Sequence, residues 1–213
     1  MSDMTLHRGI AGYAYDGPGS NPSHSYLLPR LLGILDSLGL PPEGRRLFDL
    51  GCGNGSVAAA LSERGWQVVG VDPSAEGIRR ARDAHPHLAL EEGSCYEGLA
   101  ARFGTFPVVT SLEVVEHVYS PRALAHCVHS LLEPGGWAMI STPFHGYWKN
   151  LALAATGRLD AHFTALWEHG HIKFWSRHTL SQLLTEADLH VVRFTYAGRW
   201  APFAKSMIAV ARR

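Results

Sequence analysis

Two hydrophobic rhythms alternate along the first two thirds of the chain. Short apolar runs at Leu47 to Leu50, Gln67 to Val71, Leu88 to Leu90, Pro107 to Leu112 and Trp137 to Ser141 predict strands. Between them, Ser56 to Arg64, Ser74 to Asp83 and Pro121 to Leu132 repeat their apolar residues at helical spacing. An entry helix is expected over Ser25 to Leu38, closed by Gly39 and Pro41. This alternation predicts an α/β fold with a doubly wound, mainly parallel sheet and helices on both faces. Ser120-Pro121 reads as a helix start, the serine capping and the proline at the first helical position, and Pro134-Gly135-Gly136 reads as the turn into the next strand. The rhythm then breaks. His145 to Ile172 is rich in histidine and aromatic residues, carries only a short helical pattern at Trp148 to Ala155, and is expected to lie over the sheet as an insertion. Helix Thr179 to Ala187 follows, and strands Val191 to Tyr196 and Ser206 to Ala211 bring the expected total to seven, with an antiparallel hairpin at the sheet edge.

The first strand ends in Asp49-Leu50-Gly51-Cys52-Gly53-Asn54-Gly55. Alternate glycines let a strand turn sharply and let the backbone approach a ligand closely. A dinucleotide pyrophosphate would be repelled by the Asp49 carboxylate, whereas a ligand with an amino group and a sulfonium would be attracted. Ser56 also stands where the dinucleotide fingerprint needs its last glycine. The loop therefore suits S-adenosylmethionine. About 20 residues on, Gly70-Val71-Asp72-Pro73 closes the second strand and puts a carboxylate where a ribose diol would lie. Gly93-Ser94-Cys95 follows the third strand, small enough to flank an adenine, and Ser111-Leu112-Glu113 ends the fourth.

Taken together, these residues resemble the class I S-adenosylmethionine-dependent methyltransferases. Asp49 to Gly55 matches that family's first motif, Val71-Asp72 its second, and Leu132-Glu133-Pro134-Gly135-Gly136 its signature before the fifth strand. The resemblance covers almost the whole chain and implies a Rossmann-like sheet of seven strands with an antiparallel last strand. It implies that Asp49, Gly51, Cys52, Gly53, Asn54, Gly55, Asp72, Pro73, Ser94, Cys95 and Glu113 hold the cofactor. Tyr13 and Tyr15, in the Gly/Pro/Ser/Asn-rich leader, are placed to close over it, so residues 1–40 are expected to form a lid and an entry helix. A structureless tail is the alternative. Residues 1–213 then make one domain, with 144–176 as the substrate-side insertion.

Glu113-Val114-Val115-Glu116-His117 is the second informative stretch. If it forms a helical turn, both carboxylates and the imidazole share one face and offer a divalent-cation site, best suited to Mg²⁺ or Mn²⁺, with Zn²⁺ or Fe²⁺ as alternatives. The cluster is similar to that of the ubiquinone-biosynthesis O-methyltransferases and of the small-RNA 3′-terminal 2′-O-methyltransferases. The resemblance implies a metal held by Glu113, Glu116, His117 and, from a His-x-Lys-Phe context, His171. Without a metal the glutamates would face the cofactor amine or a helix start, and His117, His145 or His171 would be the candidate general base. Of the thirteen histidines, His145, His162, His169, His171 and His178 crowd the insertion, and only His171 has a motif behind it; His126, His129 and His190 are expected on helix faces or the surface. The aromatics Tyr147, Trp148, Phe163, Trp167, Phe174 and Trp175 either wall an acceptor pocket or pack the insertion onto the sheet.

Composition narrows the partners. With 19 basic and 19 acidic residues the net charge is zero, so nucleic acid is not an expected bulk partner. A small-molecule hydroxyl acceptor is expected instead: a phenol, quinone precursor or vicinal diol. Peripheral membrane contact through Trp148 to Ala155 is conceivable but not favoured, because the run is short and weakly charged. The start of the chain has no apolar signal-peptide core, and a cytoplasmic location is expected. Cys52, Cys95 and Cys127 are too scattered for a disulfide framework or zinc cluster and are expected to be reduced. The competing readings are a binding-only regulatory subunit, disfavoured by the paired carboxylates, and a nicotinamide oxidoreductase, disfavoured by Asp49 and Ser56.

Overall fold

The computed structural model describes residues 23–163, 165–167 and 170–213. Strands β1 (Arg46–Leu50), β2 (Gln67–Asp72), β3 (Ala89–Glu92), β4 (Phe106–Leu112), β5 (Leu132–Pro143), β6 (His190–Ala197) and β7 (Ser206–Arg212) form one seven-stranded sheet in the order β3-β2-β1-β4-β5-β7-β6. The first five strands pair in parallel, and β7 runs antiparallel to both β5 and β6. The expected hairpin thus exists, but only β6 is an edge; β7 lies inside the sheet and is buried along nearly its whole length. Strand order reverses between β1 and β4, the point where an open α/β sheet leaves a crevice outside its strand ends.

Helices α1 (His24–Ser37), α2 (Ser56–Ser62) and α3 (Ala75–Ala84) cover one face. Helices α4 (Leu99–Phe103), α5 (Pro121–Leu131) and α8 (Arg177–Glu186) cover the other, and α6 (Tyr147–Ala155) and α7 (Leu159–Phe163) lie in the insertion between α5 and α8. Side chains alternate across a strand, so neighbouring residues enter different cores. Leu47, Val108, Met139 and Ile208 pack with α1, α2 and α3. Their successors Phe48, Val109, Ile140 and Ala209 pack with α4, α5 and α8. Both faces being buried explains why the strands read as continuous apolar runs rather than as alternating patterns. On α1 the buried residues are Leu27, Leu31, Ile34 and Leu35, a single helical stripe. Phe48 anchors the second core, its ring 5.5 Å from that of Phe103 and 5.2 Å from that of Phe106.

Two local expectations fail, and one of the covering helices had none. The short helix α4 was not foreseen, having only one turn and one buried residue, Leu99, to declare it. Ser120 makes no capping bond; its N–H instead donates to the Tyr96 hydroxyl at 3.2 Å, and Pro121 alone marks the start of α5. Pro134-Gly135-Gly136 does not precede β5 but forms a bulge within it, so that Phe106 pairs with Leu132 and Val108 with Trp137.

The turn after β1 depends on Gly51, at φ +86°, where a Cβ would lie 2.3 Å from Val114 Cγ2. By contrast Gly33 sits in the exposed face of α1, where an added methyl group would meet nothing within 4 Å. Gly51→Ala is expected to lose on the order of 2–5 kcal/mol from left-handed strain and overpacking. Gly33→Ala should gain about 0.5–1 kcal/mol by stiffening the unfolded chain and favouring the helix. Urea unfolding of the two variants checks both signs.

Candidate active site

The residues expected to hold the cofactor gather at the carboxyl ends of four adjacent strands, β3, β2, β1 and β4. The loop from Gly51 to Gly55 runs from β1 into α2, with the Gly51 and Cys52 N–H groups donating to the Val71 carbonyl at 2.8 and 3.0 Å. Gly55 caps α2 in the left-handed region, and a Cβ there would meet Leu90 at 2.7 Å. Asp72 braces this loop: its Oδ2 accepts from Gly53 N–H at 2.9 Å and its Oδ1 from Ser74 N–H at 2.8 Å. A carboxylate has about four lone-pair sites, so bracing the loop and accepting a diol are compatible. Pro73 follows, and Gly93 N–H donates to the Asp72 carbonyl at 3.1 Å, bringing buried Ser94 and half-buried Cys95 beside the same strand end. Cys52 and Cys127 are buried free thiols, and Cys95 is a half-buried one. Burial pushes Cys95 and Cys127 up to about 12, so neither is a nucleophile at neutral pH.

Two acids stand on the sheet side of this crevice. Asp49 is buried and accepts from the Thr110 hydroxyl at 2.7 Å. Burial, opposed by that hydrogen bond, raises its carboxyl from 3.8 to about 6. Glu113 follows β4 at φ 55°. Its N–H donates to Ser141 Oγ at 2.9 Å, and its carboxylate accepts from the hydroxyls of Ser141 at 2.8 Å and Ser206 at 3.1 Å. Loss of hydration raises it to about 7, and the two hydroxyls and Lys149 pull it back. Ser141 and Ser206 escaped sequence reasoning. Their only signal is a hydroxyl at the margin of an otherwise apolar run, one two residues before the end of β5 and one opening antiparallel β7.

The left-handed Glu113 breaks the helical turn expected over residues 113–117. In its place is a tight turn closed by His117 N–H on the Val114 carbonyl at 2.9 Å. Glu113 consequently hydrogen-bonds to β5 and β7 and is not part of the second group, although its charge still acts on Glu116. That group is Glu116, His117 and His171, whose ligand atoms all lie within 4.8 Å of one another. The insertion delivers His171: Ile172 and Lys173 N–H donate to the Glu116 carbonyl at 2.9 and 3.1 Å, and Phe144 bridges Trp175 to close the insertion's base. Glu116 is 1% exposed, and among the described residues neither of its carboxylate oxygens has a close hydrogen-bond donor, the buried Thr142 hydroxyl near it being likewise unpaired. An orphaned buried carboxylate is costly unless an ion, a water or a proton meets it. His117 Nδ1 lies 3.1 Å from the Gly170 carbonyl, which can only accept. A proton therefore sits on Nδ1, and Nε2 lies 4.0 Å from Glu116 Oε1. Burial, and then the neighbouring His117, push His171 down to about 4, keeping it neutral at pH 7.

His145 lies outside this group. Its ring stacks on Phe163 at 5.8 Å and meets Phe174 edge-on at 5.0 Å. Burial and Lys149 push it down to about 4, far from the value of an effective base at neutral pH. The insertion's aromatics divide between the two expected roles. Trp175 packs in the core and Phe174 lines a cavity, while Tyr147 and Trp148 on α6 (Tyr147–Ala155) are exposed. Tyr13, Tyr15, Glu168 and His169 lie outside the described residues. Among the described residues no helix is long and apolar enough to cross a membrane.

A family model described as a methyltransferase domain matches residues 24–193. The chain is 32% identical over 157 residues to a ubiquinone biosynthesis O-methyltransferase of Burkholderia ambifaria, a match covering 70% of this chain and 66% of the relative. It is likewise 32% identical to the Burkholderia vietnamiensis enzyme of the same name, over 80% of this chain and 75% of that one. The chain thus spans roughly two thirds to three quarters of these relatives' length. Among solved structures, magnesium protoporphyrin IX methyltransferase of Synechocystis, bound to SAH, superposes with a TM-score of 0.69 at 18% identity, covering 99% of this chain and 94% of that one. The methyltransferase domain of a bacterial Hen1 superposes with a TM-score of 0.64 at 21% identity, covering 88% and 97% of the two chains. At these identities the structural likeness establishes the fold.

The buried acids have a consequence for stability. Because Asp49 has a higher pKa folded than unfolded, the favourable contribution is complete below the ordinary 3.8 and is lost as the pH rises through about 6. Asp49→Asn should therefore flatten the decline of unfolding free energy between pH 4 and 6 by about 2–3 kcal/mol. Urea titrations of both proteins across that range measure it, and parallel curves would contradict the assignment.

Proposed function

The chain belongs to the methyltransferase domain family, and from that premise we propose that it is an S-adenosylmethionine-dependent O-methyltransferase acting on a small-molecule hydroxyl, with a divalent metal assisting. The observation that carries the donor is the set of acids at consecutive strand ends, Asp49, Asp72 and Glu113, around a glycine turn. Carboxylates there suit an ammonium, a ribose diol and a sulfonium, and repel a pyrophosphate. Asp49 and Glu113 would hold the methionine end, Asp72 the ribose, and Ser94 and Cys95 the adenine. Bound there, S-adenosylmethionine supplies an electrophilic methyl group. The chain's own contribution is mainly to hold donor and acceptor in line and to exclude water.

For the metal, the donor set is Glu116, His117 and His171, without Glu113. One carboxylate and two imidazoles suit Mn²⁺, Fe²⁺ or Zn²⁺ better than Mg²⁺, which prefers oxygen. The orphaned Glu116 oxygens and the Nδ1-protonated His117 fit such an occupant. A cation there would lower the pKa of an acceptor hydroxyl. The Burkholderia relatives' name, ubiquinone biosynthesis O-methyltransferase, agrees with an oxygen acceptor of this kind. The single domain expected from the length of the chain is part of the same proposal.

Calorimetry with S-adenosylhomocysteine and with NAD tests the donor: binding of the first alone is expected, and binding of NAD alone would refute the reading. The metal is tested by loading chelator-treated protein with Co²⁺. A visible d–d spectrum is expected in the parent and its loss in Glu116→Gln and His171→Ala. Methyl transfer should fall at least tenfold in each variant. Full activity after chelation would remove the metal from the mechanism.

A further inference from the structure

Next to the candidate metal group lies a cavity of about 470 Å³, the size of one small molecule, with His171 on its wall. Four cationic side chains also line it: Lys149, Arg158, Arg199 and Lys205. No acidic residue is among its described lining residues. Bulk composition does not explain this, because basic and acidic residues are equal in number over the chain. Elsewhere several arginines are paired, Arg46 with Glu133, Arg80 with Glu76 and Arg122 with Glu186. Among the described residues none of the four cavity cations forms an ion pair.

These cations are arranged at some cost. Lys149 Nζ donates to the Phe144 carbonyl at 2.9 Å, held in place at the base of the insertion. Burial and repulsion from Arg199 push its ammonium down to about 8, against the attraction of Glu113 beyond the wall. Lys205 Nζ rests 5.1 Å from the centre of the Tyr26 ring. Much of the remaining lining is apolar, including Leu153, Phe174 and Phe203. An anion entering this space would relieve the crowded positive charge, and a ring or short chain would fill the apolar part.

We propose that this cavity binds the methyl acceptor through an anionic group, so that the substrate is a hydroxylated small molecule bearing a carboxylate or a phosphate. The anion lies among Lys149, Arg158, Arg199 and Lys205, and the acceptor hydroxyl lies toward His171. The assignment of an acceptor rests on the transferase reading above; the anion site itself does not. A polyanion fits poorly, because the cavity holds one small molecule and the chain carries no net charge.

Binding is measured by calorimetry on the full chain with matched probes: 3,4-dihydroxybenzoate against its carboxamide, and phenyl phosphate against phenol. At least one anion is expected to bind tenfold or more tightly than its neutral partner, and which pair shows the difference separates carboxylate from phosphate. The advantage should fall at least tenfold in the exposed double variant Arg158→Gln/Arg199→Gln, whose folding is checked by thermal unfolding. It should also shrink between 50 and 500 mM salt, across which the Debye length falls several-fold. Equal binding of charged and neutral partners, or anion binding unchanged in the double variant, overturns the proposal. So does methylation of a short single-stranded RNA with no binding of either anion. Anion binding without methyl transfer would leave this site standing and defeat the transferase reading; transfer to neutral catechol, undiminished in the double variant, would do the reverse.

Discussion

A sheet buried on both faces leaves its polar chemistry only one place to go. The interiors of the central strands are claimed by one core or the other, while edge strand β6 stays partly exposed, so charged and hydrogen-bonding side chains of the central strands collect where those strands end. Parallel connection then puts the ends of β1, β2, β3, β4 and β5 on the same edge. The glycine turn, Asp72, Ser94, Glu113 and the Glu116 turn are consequences of that single geometric constraint. The antiparallel β7 adds to it from the opposite direction, since its first residue, Ser206, reaches the edge that the other strands reach with their last.

Along this edge the acids divide by what meets them. Asp72 meets backbone N–H groups, and Glu113 and Asp49 meet hydroxyls. Glu116 is the most deeply buried of them, and among the described residues its carboxylate oxygens lack a close hydrogen-bond donor, with Thr142, His117 and Glu113 as their polar surroundings. The chain holds it there with its own backbone, because the Glu116 carbonyl is the acceptor that docks Ile172 and Lys173. The same residue therefore fixes the insertion through its main chain and faces His117 and His171 with its side chain. An insertion tied at that point, and again where Phe144 meets Trp175, carries its cationic cavity to the edge where the donor would lie.

Much of this was legible in the residues. The alternation of apolar runs with helical patterns predicted a sheet covered on both faces, and glycines spaced two apart predicted the turn after β1. Asp49, Asp72 and Glu113 were identified as strand-end acids, which is where they lie. The acidic cluster was located but its shape was not, because i, i+3 and i+4 spacing assumes helical backbone and Glu113 takes a left-handed conformation that spacing alone does not reveal. Ser141, Ser206 and Lys149 were missed for a different reason. Each sits at the margin of an apolar or aromatic stretch and joins the site only through partners between 28 and 93 residues away or across the cavity.

By itself, then, the sequence determined the layered α/β sheet, the glycine turn after β1 and the identity of the acids and histidines available for chemistry, because those depend on local periodicity and on short contiguous motifs. Only the tertiary structure decided which of them meet. It left Glu113 outside the cluster, kept Glu116, His117 and His171 together, and lined one cavity with four cations drawn from separate parts of the chain. The physical reason is that ligand sets and charged cavities are properties of distances between strand ends and an insertion, which chain spacing does not encode.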